Sequence, residues 1–487
     1  MKRSLLAIMV AAVWTLAQGA NALAPLDTAV SHGKEPIADE TGRIRYIVDL
    51  TADAAKPYPS TVSLAIQARF DQRHPANVQN LVAALEGQFG FLHWDMTSWV
   101  GNSVTAYLTS DQVASLRTDA RVTAVTEDWQ VSFSSNPLWN DITYASSQPP
   151  YTETSSWGRV AVNGKVSSGS IRVYVIDGGV AWHEDLLNVA SRVNASCGTN
   201  NSGCPGRAVV GCYPHATHVA GIISAAYGNK GSAGVDANAK LISVDILPND
   251  ASPAICSDPL SLAVSSIATG MDYAKWDLVT NDPYHVGIVN ISINDPSFQP
   301  GAVLFSKMLN LATPVFGSYI YSGAFVVQSA GNNFDNACHY TFNWSGSQHT
   351  DDGIMIVGGI DKYGQPVTPD NGGFVSDYAA YQPGSNWGPC VEVWAPAKDI
   401  YATWGPLTPW NASNSATWQS QFVTYNNYIF FGGTSMAAPH IAGVAAYLAE
   451  TQTLGSPAAV EAAVRNLFYS TGQVDVTGRT VWLVRLP

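Results

Sequence analysis

The sequence predicts a doubly wound α/β domain with a mostly parallel sheet, preceded by a small α+β domain of ferredoxin-like type. Three observations carry this expectation. From about Ser156 onward, apolar β-branched runs alternate with segments of helical periodicity, the pattern of a parallel sheet covered by helices on both faces. One such run, Arg172-Val173-Tyr174-Val175-Ile176, ends in Asp177 and two glycines, as strands do when they deliver a polar group at the carboxyl edge of a sheet. Before residue 135, strands and helices follow in a separate order of their own.

In that first region, residues 45–50 read as a strand, and Val78, Leu81, Val82 and Leu85 recur at helical spacing. A strand over 103–108 follows. Thr109 and Gln112 then form a capping box before a short helix carrying Val113 and Leu116, and residues 122–125 close as a further strand. This order suggests the ferredoxin-like arrangement. The stretch from Trp129 to Trp157, rich in Ser, Asn, Pro and Thr, reads as a polar linker open to cleavage.

In the larger region, strands are expected over 171–176, weakly over 208–210, and over 240–247, 286–291, 324–328, 354–358 and 391–394. Helices are expected after His215, over 260–276 and 305–318, after Ser435, and over 457–468. Insertions are placed at 191–211 and between Thr403 and Tyr428.

The chain has 487 residues, 46% of them apolar, ample for a large core. Its net charge of −13 argues against nucleic acid or an anionic membrane as a partner, since both select for basic patches. The same acidity is compatible with a structural calcium ion, although no residues can be assigned to one. Met1-Lys2-Arg3-Ser4 and the apolar run to Leu16 form a charged and then a hydrophobic segment too short to span a bilayer. With Ala20-Asn21-Ala22 they read as a signal peptide cut after Ala22, which implies a secreted or periplasmic protein. No other segment reaches the length of a membrane helix.

All six cysteines (Cys197, Cys204, Cys212, Cys256, Cys338 and Cys390) lie in the second region. An even number in an exported chain reads as three disulfides, and no Cys-x-x-Cys pair supports a metal site. Connectivity is not deducible from sequence; Cys338 with Cys390 is the one pairing expected.

Three stretches carry the chemistry. Gly432-Gly433-Thr434-Ser435 leads into an Ala-rich apolar segment, which sets Ser435 where a loop becomes a buried helix. Backbone N–H groups lacking intrahelical partners favour negative charge there. Pro439 falls inside the first helical turns, where a missing N–H is tolerated best. His215 stands before a second small-residue helix, and Asp177 ends its strand. A serine needs a base, and a base needs an orienting group; this chain supplies both.

The order Asp, His, Ser in these contexts resembles the subtilisin-like serine proteases, or subtilases. Four blocks agree: Asp177-Gly178-Gly179, His215 to Gly221, Ser329-Ala330-Gly331-Asn332-Asn333, and Gly433 to His440. The resemblance implies a catalytic triad of Asp177, His215 and Ser435, with Asn332 as an oxyanion-hole donor. It departs from the family in Gly178, which replaces a hydroxyl residue, and in Ala216, which replaces a glycine; both substitutes are small. The resemblance also implies substrate contacts from Ser292, Ile293, Asn294 and Asp295 on an edge segment and from Ser329, Ala330 and Gly331. In the family that edge segment continues with two glycines where Asn294 and Asp295 stand. These two either end a strand or shape specificity.

The domain order implied is a signal peptide over 1–22, an inhibitory propeptide over 23–135 and a subtilisin-like catalytic domain over 136–487. The implied function is that of a secreted serine endopeptidase, a self-processed zymogen acting as a monomer on protein or peptide substrates, with its own propeptide as inhibitor and no cofactor needed for the chemistry. A zinc site at His215 and His218 lacks the glutamate and the four-residue step it would need. An α/β-hydrolase would need a glycine where Ala437 stands. A non-catalytic binding protein on the same scaffold would be expected to lose a triad position, and none is lost.

Overall fold

The computed structural model describes residues 37–51, 74, 76–129, 132–133, 153–195, 214–229, 231–247, 263–282, 285–294, 298–313, 323–341, 352–374, 383–405 and 427–487. The expected signal peptide, the strand at 208–210, Asp295 and four of the six cysteines lie outside them. All the described residues belong to one compact unit, Lys34–Pro487.

The first layer runs β1 (Ile44–Leu50), α1 (Ala76–Phe89), β2 (His93–Thr97), β3 (Ser103–Leu108), α2 (Ser110–Arg117) and β4 (Val122–Glu127). The strands pair antiparallel in the order β2-β3-β1-β4, the ferredoxin-like arrangement. Val78, Val82 and Leu85 line the buried face of α1 and meet Val48, Leu108 and Leu116 in a core of their own. The capping box at α2 is formed: Gln112 N–H donates to Thr109 Oγ1 and Thr109 N–H to Gln112 Oε1. The strand β2 was not expected. Its exposed Trp94 and its buried Asp95 break the alternation that marks a half-buried strand. A two-residue strand, β5 (Ser132–Phe133), follows, so the stretch read as a free linker begins in a sheet instead.

The second layer begins with α3 (Trp157–Ala161), β6 (Arg172–Asp177), β7 (Val189–Asn194), α4 (His215–Ser224), β8 (Lys240–Asp245) and α5 (Val264–Asn281). It continues through β9 (Gly287–Ile291), β10 (Ile293–Asn294), α6 (Phe298–Ala312), β11 (Ala324–Ser329), β12 (Ile354–Ile360) and β13 (Val393–Pro396). Seven strands form one sheet, ordered β13-β12-β11-β9-β6-β8-β7, with every pair parallel. Large apolar clusters cover its two faces, one holding Ile176, Val244 and Met271 of the α5 side and the other Val175, Val219 and Ala442. This is the doubly wound α/β fold that the alternating pattern predicts. The strand β7 occupies part of the expected insertion at 191–211; its mixed sequence, VASRVN, belongs to an edge strand whose residues are mostly half-buried.

The chain then forms β14 (Ile400–Trp404), β15 (Asn427–Phe431), α7 (Thr434–Thr451), α8 (Pro457–Arg465), β16 (Phe468–Val474) and β17 (Thr480–Val484). The two hairpins, β14–β15 and β16–β17, are antiparallel additions absent from the sequence reading. Nearly every residue of α7 through Ala449 is buried. Its neighbours come close: a Cβ added at Gly443 would lie 2.7 Å from Val235 Cβ. Cys338 and Cys390 are joined as expected, with Cα atoms 5.2 Å apart.

The two layers meet at α5 and α6. Asp272 on α5 accepts three backbone N–H groups from the turn between β2 and β3: Ser98 at 2.8 Å, Trp99 at 2.5 Å and Val100 at 3.2 Å. Thr269 donates to Asp95, and Asp128, paired with Arg45 at 2.7 Å, accepts from both the N–H and the hydroxyl of Ser265. From α6, Lys307 reaches Asp49, and Asn310 Nδ2 donates to the Val100 carbonyl.

Close packing of α7 makes a direct prediction. Gly443→Val should overpack the contact with Val235 and destabilise the protein by about 1–3 kcal/mol. Gly455→Ala, where an added Cβ meets nothing within 4 Å, should be neutral or slightly stabilising. Thermal denaturation of the two variants beside the parent checks this.

Candidate active site

Asp177 ends β6 fully buried. Its Oδ1 accepts the Gly178 N–H at 2.7 Å, and its Oδ2 lies 2.8 Å from His215 Nδ1. A glycine at 178 therefore keeps the backbone contact that holds the carboxylate. His215 opens α4, and Ala216 behind it is completely buried, so the departure from glycine is absorbed in packing.

His218, one turn later, serves a different purpose. Its Nε2 meets the Ile400 carbonyl at 3.1 Å, and its ring packs edge-on to Trp404 and Phe431. Burial and then the neighbouring His215 pull its pKa down to about 3. It is a neutral core residue, which is why the two histidines do not act as a pair.

Ser435 is the second residue of α7. The turn before it needs glycine at 433, where φ is +142°. Gly433 before the helix has no side chain to cap it, and Asn332 accepts its first donors instead: Thr434 N–H and Thr434 Oγ1 each donate to Asn332 Oδ1 at 2.8 Å. The backbone N–H can only donate and so demands the oxygen end of the amide, which fixes the Asn332 orientation by chemistry and makes its Nδ2 the donor end. Gly331 N–H in turn donates to Thr434 Oγ1 at 3.0 Å, and with φ at +101° a side chain at 331 would be strained and would run into Asn386.

A reciprocal pair of hydrogen bonds ties Ser435 to the sheet edge. Ser435 Oγ donates to the Ser292 carbonyl at 3.2 Å, and Ser292 Oγ donates to the Ser435 carbonyl at 3.0 Å. The second bond explains Pro439. This proline is the sixth residue of α7, past the tolerant first turn, and it has no N–H for the carbonyl of residue 435 four positions back. Ser292 supplies the missing donor. The hydroxyl of Ser292 is itself oriented by Asn290 Nδ2 at 3.0 Å.

The expected substrate segments converge on the same place. Ile293 and Asn294 form β10, which pairs antiparallel with β5 in the register Ile293 with Phe133 and Asn294 with Ser132. Ser329 ends β11; Ala330 and Gly331 lead from it to Asn332, and Ala330 N–H donates to the Val357 carbonyl. Asn294 is bonded to Ser329 and is buried, so it does more than end a strand. His440 is a site neighbour that sequence reasoning passed over. Its Nδ1 bonds the Met436 carbonyl one turn back, burial lowers its pKa to about 4, and Gly158 of α3 lies against its ring so closely that a Cβ there would collide.

Comparisons with known proteins bear on the family and the fold. The profile described as the subtilase family matches residues 168–475. The alkaline extracellular protease of Yarrowia lipolytica is 30% identical over 358 residues, covering 71% of this chain and 65% of the relative, somewhat under two thirds of its length. The thermostable alkaline protease of Halalkalibacterium halodurans is 26% identical over 347 residues, covering 70% of this chain and 71% of the relative. Among solved structures, fervidolysin from Fervidobacterium pennivorans, a keratinolytic enzyme related to subtilisin, superposes with a TM-score of 0.56 at 18% identity. That superposition covers 92% of this chain and 61% of fervidolysin, and it supports the fold.

The proline and the serine that compensates for it should be coupled. Ser292→Ala leaves the Ser435 carbonyl buried without a donor and should destabilise by about 1–3 kcal/mol. In a Pro439→Ala background the helix can supply its own N–H, so the same change should be felt much less. A double-mutant cycle followed by chemical denaturation measures the difference; additive effects would dissociate the two residues.

Proposed function

The chain belongs to the subtilase family, and on that premise we propose that it is a secreted serine endopeptidase made with its own inhibitor domain. The observation that carries the reading is the fully buried contact between Asp177 Oδ2 and His215 Nδ1, on a helix packed against the one that bears Ser435. With Nδ1 committed to the carboxylate, Nε2 is the nitrogen left to act as base. Ser435 Oγ attacks the scissile carbonyl while His215 takes its proton and returns it to the leaving amine. Asp177 holds the tautomer and stabilises the imidazolium. The Asn332 amide and the Ser435 backbone N–H bind the tetrahedral oxyanion, a donor of this kind contributing about 3–4 kcal/mol to the barrier. Water then hydrolyses the acyl-enzyme.

The inhibitor role of the first domain is supported by β5, which takes the edge of β10, and by the seat of the domain on α5 and α6. A peptide substrate adds to that edge as a strand. The amino-terminal leader and the even cysteine count support export, and no helix among the described residues is long and apolar enough to cross a membrane.

Expression of the parent and of Ser435→Ala separates the outcomes. The parent should lose its first domain through a cut at a bond beyond Phe133 and should label with a fluorophosphonate. The Ser435→Ala chain should keep the domain and stay unlabelled. Identical amino termini in a host lacking other proteases would refute self-processing, and an unlabelled parent would refute the serine nucleophile.

A further inference from the structure

Three segments converge beside Ser435: β10, the exit of β11 from Ser329 to Asn332, and the turn at Tyr340. Asn294 ties all three. Its Nδ2 donates to the Ser329 carbonyl at 2.5 Å and reaches the Tyr340 carbonyl at 3.4 Å, while its Oδ1 accepts from Ser329 Oγ at 3.1 Å. The side chain is 4% exposed. One step along, Gln328 Nε2 donates to the Ile293 carbonyl at 3.1 Å, so β10 and β11 are stitched together by two side-chain amides at the end nearest the site. The third wall is firm as well, because Cys338, two residues before Tyr340, is bonded to Cys390.

A peptide can react only with its carbonyl between Ser435 Oγ and the Asn332 amide. A peptide running antiparallel to β10, as Ser132 and Phe133 do, passes on its way to Ser435 the seam between β10 and Ser329–Gly331. That is the space Asn294 crosses. We infer that Asn294 is a crossbar that makes this pocket shallow, so that the enzyme cuts after glycine, alanine or serine in preference to leucine, phenylalanine or other large residues. A large side chain enters only by displacing the amide and leaving the Ser329 and Tyr340 carbonyls without their donor, in a site closed to water. The proposal rests on the proteolytic reading above, and it assigns to that reaction a substrate class.

The test uses the chain as recovered after expression and processing, its active sites counted with a fluorophosphonate, on peptides identical except for Ala, Ser, Leu or Phe before the scissile bond. The parent should favour Ala and Ser over Leu and Phe by at least about tenfold in kcat/KM, the order expected when a pocket's size and buried polar groups discriminate. Asn294→Gly should narrow or reverse that ratio by a similar factor, and Asn294→Ser, shorter but still polar, should fall between. Thermal melting of both variants confirms folding, and Ser329→Ala, which removes one bond to the crossbar, gives a second reading should Asn294→Gly fail to fold. A labelled parent that prefers Leu or Phe, or a ratio unmoved in every folded variant, overturns the crossbar alone. A parent that neither labels nor cuts any peptide overturns the proteolytic reading beneath it.

Discussion

The helix α7 lies inside the protein along almost its whole length, and most of the site follows from that constraint. A helix enclosed by a sheet and other helices can be approached only where side chains are small. Gly443 lets Val235 come near, and Gly221 on α4 does the same for Thr403. Enclosure also means that each polar atom needs a partner from a neighbouring segment. Thr434 is matched by Asn332. The carbonyl of Ser435, orphaned by Pro439, is matched by Ser292. The residues that orient Ser435 are therefore the same ones that satisfy a buried helix terminus. Stability of the helix and position of the proposed nucleophile have one physical origin.

This explains why the sequence was informative about some parts and silent about others. The alternation of apolar runs with helical periods exposed the parallel sheet, because strands buried on both faces have little choice of residue. Asp177 was legible from the apolar strand it ends, His215 from the small-residue helix it opens, and Ser435 from the glycine-rich turn before its helix. The hairpins β14–β15 and β16–β17 escaped because their residues serve two surroundings at once. Phe430 and Trp482 are large and partly exposed while their strand neighbours are buried, and the pattern reads as irregular. The pairing of β5 with β10 is a contact between segments far apart in sequence, with no local period to betray it.

Pro439 and Asn294 show the limit most clearly. Pro439 was legible as a proline in a helix, but the cost of its missing N–H depended on a serine in the edge segment. Asn294 was legible as a side chain where the family has glycine; its direction was not, because that depends on Ser329 and Tyr340, which reach it only in the folded chain. In both cases the residue was visible and its partner was not.

The pairing of β5 with β10 has a consequence for how the cleft is shared. Two residues of antiparallel ladder are a very weak association between separate molecules. Within one chain the same ladder forms against an effective concentration and not against dilution. A peptide in solution competing for the β10 edge meets both that effective concentration and the hydrogen bonds that seat the first domain on α5 and α6. Severing the chain beyond Phe133 would leave every hydrogen bond of the ladder as it is and remove only the tether. Occupancy of the edge would then depend on concentration, held by the seat on α5 and α6 and no longer by the covalent link.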